Sequence, residues 1–123
     1  YVNAGHNPPY HITADGQVTA LARTGGMALG VMEEMPFAER TLTLGPDERL
    51  LFYTDGVTEA INEASEEFTN ERLEETLAVA PADPRELIAA VVDAVQRFAG
   101  TAPPADDLTV LALLYRGAAV AKA

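Results

Sequence analysis

The sequence predicts an α+β fold. Short β-prone runs separated by turn signals crowd the first half, and the strongest helical patterns follow in the second. Strands first and helices later point to antiparallel pairing rather than alternating parallel units.

The elements follow in order. Tyr10 to Thr13 is short and β-prone, Asp15-Gly16 is a hairpin-turn signal, and Gln17 to Leu21 returns. Thr24 to Gly30 holds three glycines and reads as loop. Phe37 to Leu44 alternates near its end, as a half-buried strand does. Gly45-Pro46-Asp47 turns the chain, and Arg49 to Thr54 is a compact apolar run that reads as a buried strand. Val57 to Ile61 has room for one or two helical turns. Asn70 to Val79 spaces Leu73 and Leu77 four apart, a modest amphipathic helix. Asp83-Pro84-Arg85-Glu86 is a helix start with Asp at the N-cap and Pro at the first position. Leu87, Ile88, Val91, Val92, Val95 and Phe98 form its apolar stripe, and Gly100 ends it. Leu108 to Tyr115 reads as a final buried strand, and 117–123 as a flexible small-residue tail.

Composition bounds the function. The 123 residues suit one domain, and 48% hydrophobic with 22% charged residues is ordinary globular usage. No cysteine excludes a disulfide scaffold and any thiolate metal site. The net charge of −11 excludes a nucleic-acid binder that works by neutralising phosphates. Residues 33–75 hold thirteen acids against three bases, so that stretch carries most of the charge. The longest strongly apolar run is far short of the ~20 residues a spanning helix needs, so no membrane contact is expected from this segment. Cytoplasmic is the default location. The chain opens on Tyr1-Val2-Asn3 with no methionine. That reads as a strand cut into, and hence as a piece of something longer.

Chemistry has few places to sit. Asp55 follows one apolar strand, and Asp106-Asp107 precedes another. If those strands pair antiparallel, Asp55 and Asp106 meet at one sheet edge. Carboxylate oxygens suit hard cations such as Mg²⁺ or Mn²⁺. Gly56 removes side-chain bulk beside the carboxylate. The same dipeptides also read as a plain turn and a strand cap, and spacing alone leaves both readings open. His6 and Asn7 offer polar tips on a loop whose exit is set by Pro8 and Pro9; a rigid connection with a solvated histidine is the plainer reading. His11 lies in a strand pattern and reads as a surface or packing residue. Thr24 to Gly30 lacks the spacing and the lysine of a phosphate loop. Glu63, Glu66, Glu67, Glu71, Glu74 and Glu75 read as a solvated helix face. Ser65, the one serine, has no nucleophile setting around it.

Taken together the segments are more specific. Asn3-Ala4-Gly5-His6-Asn7-Pro8-Pro9, then Leu29-Gly30, then Tyr53-Thr54-Asp55-Gly56-Val57-Thr58-Glu59-Ala60, then Asp106-Asp107-Leu108-Thr109 closely resemble the bacterial SpoIIE/RsbU-type phosphatases. These are members of the metal-dependent PPM (type 2C-like) serine/threonine phosphatases. The resemblance runs from residue 2 to about 115. It implies part of a PPM-type α-β-β-α sandwich, with antiparallel sheets flanked by helices. It implies that Asp55 and Asp106 hold metal, with Gly56, Asp107, His6 and Asn7 near the site. It implies a two-metal Mn²⁺ or Mg²⁺ centre whose activated water attacks a phosphoserine or phosphothreonine directly. The implied partner is a phosphorylated STAS-type protein, an anti-sigma-factor antagonist.

Two departures matter. Phe68-Thr69 stands where the family often has Phe-Gly, so the loop before Asn70 is expected to take another shape. The Gly-Asp-Phe/Tyr and Gly-His-Gly segments of the family's earlier half do not occur here. Residues 1–116 are therefore expected to be the C-terminal portion of such a domain, weakly active or inactive alone, with an uncovered apolar sheet face. A homo-oligomer or strand-swapped assembly follows from that face. A non-catalytic binding or sensing module is the alternative. A receiver domain phosphorylated on Asp55 fits poorly, because strands cluster first.

Overall fold

The computed structural model describes residues 1–118. Four strands form one sheet: β1 (Tyr10–Ile12), β2 (Val18–Ala20), β3 (Glu48–Tyr53) and β4 (Val110–Tyr115). Their order is β2-β1-β3-β4, and every neighbouring pair is antiparallel. Three helices join them: α1 (Asp55–Thr58), α2 (Thr69–Val79) and α3 (Pro84–Ala99). The α+β class expected from the sequence is the class observed.

Alternation along β3 sorts the core. Arg49, Leu51 and Tyr53 are buried, while Leu50 and Phe52 are only half-buried on the opposite face. The buried face meets α2 and α3 through Leu73, Leu77, Leu87, Val91 and Val95. Each such leucine contributes roughly 1.5–3 kcal/mol by leaving water. Arg49 lies among them and donates through its guanidinium to the carbonyls of Pro81 at 3.0 Å and Thr13 at 3.4 Å. It thereby ties the chain just after α2 to the β1–β2 turn. Burial pulls its guanidinium below the ordinary arginine range.

The start of α3 is as the residues require. The Asp83 carboxylate accepts from the Arg85 and Glu86 amides at 2.9 and 3.2 Å, and Pro84 opens the helix. Gly100 closes it at φ 61°. Of the apolar stripe, Leu87, Val91 and Val95 are buried, and Ile88, Val92 and Phe98 are half-buried. Phe98 meets Phe68 edge-on at 5.5 Å.

Five expectations need correction. Phe37 to Leu44 is not a strand. Its alternation is real, for Leu42 and Leu44 are half-buried between exposed threonines. Yet its backbone finds no ladder, only the two bonds Arg40 exchanges with Tyr1. An apolar face without a neighbouring strand edge gives extended coil. Tyr1 to Asn3 is not a strand either, for the same reason. The helix after β3 starts at Asp55 and stops at Thr58, earlier and shorter than 57–61. Glu63, Glu66 and Glu67 lie on a loop, not a helix face. Asn62 organises that loop by accepting from the Ala64 and Glu66 amides, both at 2.9 Å, so the helix begins only at Thr69. The last strand starts at Val110 and is not buried, because β4 is an edge strand packed on one face only.

That edge exposes the far face of the sheet. Leu111 is 54% exposed, and Leu113 and Tyr115 are exposed beside it. The strand register sets Leu111 across from Phe52 and Leu113 across from Leu50. Leu50 and Phe52 line a cavity of about 310 Å³ with Tyr1, Val2, Leu42 and Leu44, so the extended segments flank this face and leave Leu111, Leu113 and Tyr115 exposed at its edge. Of the tail, Gly117 and Ala118 are coil; the remainder of 117–123 lies outside the described residues. Among the described residues no helix is long and apolar enough to cross a membrane.

Candidate functional site

The two acidic points meet at adjacent strand ends. Tyr53, the last residue of β3, pairs with Val110, the first of β4. Asp55 and Asp106 therefore leave the sheet at the same edge. Thr54 stitches the junction. Its amide donates to the Thr109 carbonyl at 3.1 Å, its hydroxyl donates to the Asp107 carbonyl at 3.1 Å, and that hydroxyl accepts from the Thr109 amide at 3.0 Å. Gly56 is buried against the same segment, and a Cβ there would stand 2.2 Å from the Asp107 carbonyl oxygen. Only glycine fits that approach. Thr54 and Gly56 thus face the partner strand while Asp55, between them, is exposed.

The carboxylates do not share one cavity. Asp55 lines a polar cleft of about 300 Å³ with Asn7, Arg23, Tyr53, Glu59 and Glu67, and a smaller one of about 210 Å³ with Gly5, His6, Asn7 and Thr54. Asp106 lines a more apolar groove of about 320 Å³ with Gly56, Ile61, Val95 and Leu108. Its carboxylate accepts from the Asp107 amide at 2.7 Å. Asp107 is exposed.

His6 and Asn7 come to Asp55 on a clamped turn. The Asn3 side chain accepts from the His6 amide at 2.7 Å and donates to the His6 carbonyl at 2.9 Å. Gly5 takes φ 84°, a conformation that glycine reaches freely. His6 is exposed, and its Nδ1 lies 3.0 Å from the Asn7 carbonyl. His11 is elsewhere, paired with Glu48 at 2.8 Å.

Beneath the cleft two tyrosines stack, Tyr10 on Tyr53, with centroids 5.7 Å apart. Burial pushes both phenols above their ordinary range, and Tyr10 is raised further by the Glu74 carboxylate it donates to at 2.9 Å. Tyr53 donates to Asn70 at 3.2 Å. On the rim, the Thr69 hydroxyl holds Glu71 below the usual carboxylate range.

Exposed carboxylates are donors of the right hardness for Mn²⁺ or Mg²⁺. The described residues nevertheless contain no group of three or more histidines and acids placed to hold a metal ion. By themselves they do not fit a two-metal centre. Three residues of the site had no role in the sequence reading. Thr54 and Asn3 act through side-chain bonds to the backbone of other residues, which residue type does not announce. Arg23 lines the cleft with Asn7 and Asp55, which only the tertiary structure brings about.

Comparison with known proteins agrees with this geometry. The model of the family described as stage II sporulation protein E matches residues 1–116. Protein IcfG of Synechocystis is 34% identical over 116 residues, covering 94% of this chain and 18% of that protein. The structure of the RsbU and RsbW domains of a Mycobacterium tuberculosis protein superposes with a TM-score of 0.70 at 30% identity, over 94% of this chain and 32% of that one. The SiaA-PP2C domain of Pseudomonas aeruginosa has the same fold at a TM-score of 0.73 and 20% identity, over 90% of this chain and 44% of that one. The chain spans less than half the length of each of these relatives. By its matched residues and its fold, the chain belongs to the SpoIIE family of PPM, type 2C-like phosphatase domains.

Proposed function

We propose that this chain is the C-terminal portion of a Mn²⁺- or Mg²⁺-dependent serine/threonine protein phosphatase. Asp55 and Asp106 each supply one metal-ligating carboxylate, and donors outside the described residues complete the set. Gly56 and Asp107 hold those carboxylates at one sheet edge, and His6 and Asn7 flank Asp55. The substrate is a phosphorylated STAS-type regulatory protein in the cytoplasm. The observation that supports this most is the Thr54–Asp107 stitch, which puts two oxygen donors at adjacent strand ends in a chain of this family.

The same observations favour one second reading. A ligand set that the described residues do not complete also suits a phosphatase-like module that binds without catalysis.

The isolated chain is expected to bind Mn²⁺ weakly and to release little phosphate. Added Mn²⁺ should broaden amide resonances around Asp55 and Asp106 first, and Asp55→Asn should abolish that pattern. Broadening confined to the glutamates of α2 would count against the metal assignment. Robust turnover of p-nitrophenyl phosphate by this chain, lost in Asp55→Asn, would overturn the incomplete site. Mn²⁺-dependent phosphate release from a phosphoserine STAS protein by a domain containing this chain separates the enzyme from the binding module.

A further inference from the structure

Glu63 holds the far end of the segment that carries Asp106. Its Oε1 accepts from the Thr101 amide at 3.3 Å and from the Thr101 hydroxyl. Both bonds reach across 38 residues, from the loop after α1 to the chain just past α3. The hydroxyl first, and the amide second, keep the Glu63 carboxyl below the usual carboxylate range. Gly100 makes room, for a Cβ there would stand 3.4 Å from the same oxygen. A carboxylate beside a helix C-terminus meets the negative end of the helix dipole. The Thr101 donors therefore set its place, against the field of α3.

The platform under Glu63 is firm. Ile61 bridges to Glu67, the Phe68 amide donates to the Ala60 carbonyl at 2.8 Å, and Phe68 is buried. Beyond Thr101 the chain is held at few points. The Ala102 amide donates back to the Ala99 carbonyl at 3.1 Å, and Thr54 grips Asp107. Among the described residues no backbone–backbone hydrogen bond reaches 103–105. That stretch borders the groove of about 320 Å³ that Asp106 lines with Gly56 and Ile61, so the packing beside it is incomplete. Pro103 and Pro104 stiffen it, since each ring fixes its own φ. A short stiff strut carries a shift at one end to the other.

We propose that Glu63 is a positioning residue: through Thr101 and the Pro103-Pro104 strut it sets where Asp106 stands relative to Asp55. The use of that position rests on the phosphatase reading above. Asp55 opens α1, whose chain runs on into the Glu63 loop, and Asp106 ends the strut. Glu63 thus makes a second tie between the two acidic segments, besides the Thr54 stitch at the strand ends. With the stitch alone, the Asp107 end is fixed and the strut is free to swing over the groove.

The test measures amide nitrogen relaxation on the 123-residue chain. Order parameters at Ala105 to Asp107 should fall from the rigid range, about 0.85, to below about 0.6 in Glu63→Ala. Glu63→Gln keeps an acceptor oxygen and should recover at least half of that fall. Circular dichroism checks the fold; if Glu63→Ala unfolds, Thr101→Val decides, with a smaller fall at the same three residues. Unchanged order parameters, or a Glu63→Gln chain as loose as Glu63→Ala, overturn the proposal. With Mn²⁺ added, the ratio of broadening at Asp106 to broadening at Asp55 should fall at least threefold in Glu63→Ala. An unchanged ratio would show that the strut loosens without moving Asp106, and also overturns it. Failure of the phosphatase reading is separate: it shows as broadening that spares both aspartates in the wild type, and the order parameters still decide the tie.

Discussion

The α-carbon of Gly56 faces the Asp107 carbonyl oxygen so closely that a Cβ would stand 2.2 Å from it. The obstacle is backbone, so it cannot rotate away. Gly56→Ala should therefore push the 106–108 segment off the end of β3 and break the Thr54 bonds. A loss of about 2 kcal/mol or more is expected, at the upper end for overpacking. Urea denaturation measures it, and an unchanged midpoint would contradict the close approach.

Thr69 adopts φ 70° at the point where the family often carries glycine. There the threonine takes a backbone conformation natural to glycine. A β-branched residue in that region is strained by roughly 1–2 kcal/mol. Thr69→Gly should stabilise the chain by about 1 kcal/mol, since glycine relieves the strain but frees the unfolded chain. A melting temperature that falls on substitution would show that the Thr69–Glu71 contact outweighs the strain.

Glu48 links acid stability to the sheet. Its carboxylate accepts from the Gly45 amide at 2.9 Å and meets His11 at 2.8 Å. The amide first, and His11 second, hold it below the ordinary glutamate range. A carboxyl depressed in the folded state stabilises that state above its unfolded pKa, and the contribution fades as pH falls through the folded one. Melting temperature should therefore drop below about pH 4.5 more steeply in the wild type than in Glu48→Gln. Parallel acid limbs in the two proteins would remove Glu48 from the account.

The exposed apolar edge of the sheet should drive self-association. Leu111, Leu113 and Tyr115 stand exposed on an edge strand, beside half-buried Leu50 and Phe52. Light scattering should show a mass that rises with concentration, and Leu111→Lys with Leu113→Lys should shift the chain toward monomer. A wild-type chain that stays monomeric at high concentration would contradict this.

Much of this was legible in the residues because it depends on local chemistry. The Asp83-Pro84 start of α3 is set by an aspartate that satisfies its own helix and a proline that needs no amide partner. The Asp15-Gly16 turn is a matter of backbone freedom. Phe37 to Leu44 misled, because alternation reports which side chains are buried and not whether a ladder partner exists. The edge strand Val110–Tyr115 misled likewise, because an apolar run does not reveal whether both of its faces are covered.

At the site the division is the same. Residue type and order alone determined that Asp55 and Asp106 are the acids at strand ends, and that Gly56 removes bulk beside one of them. Only the tertiary structure decided that Thr54 stitches the two ends, that Asn3 clamps His6 and Asn7 beside Asp55, and that the two carboxylates line different cavities. The Thr54 bond is a long-range contact, across 53 residues to Asp107. A hydroxyl or an amide carries no mark of its distant partner until the sheet brings the two together.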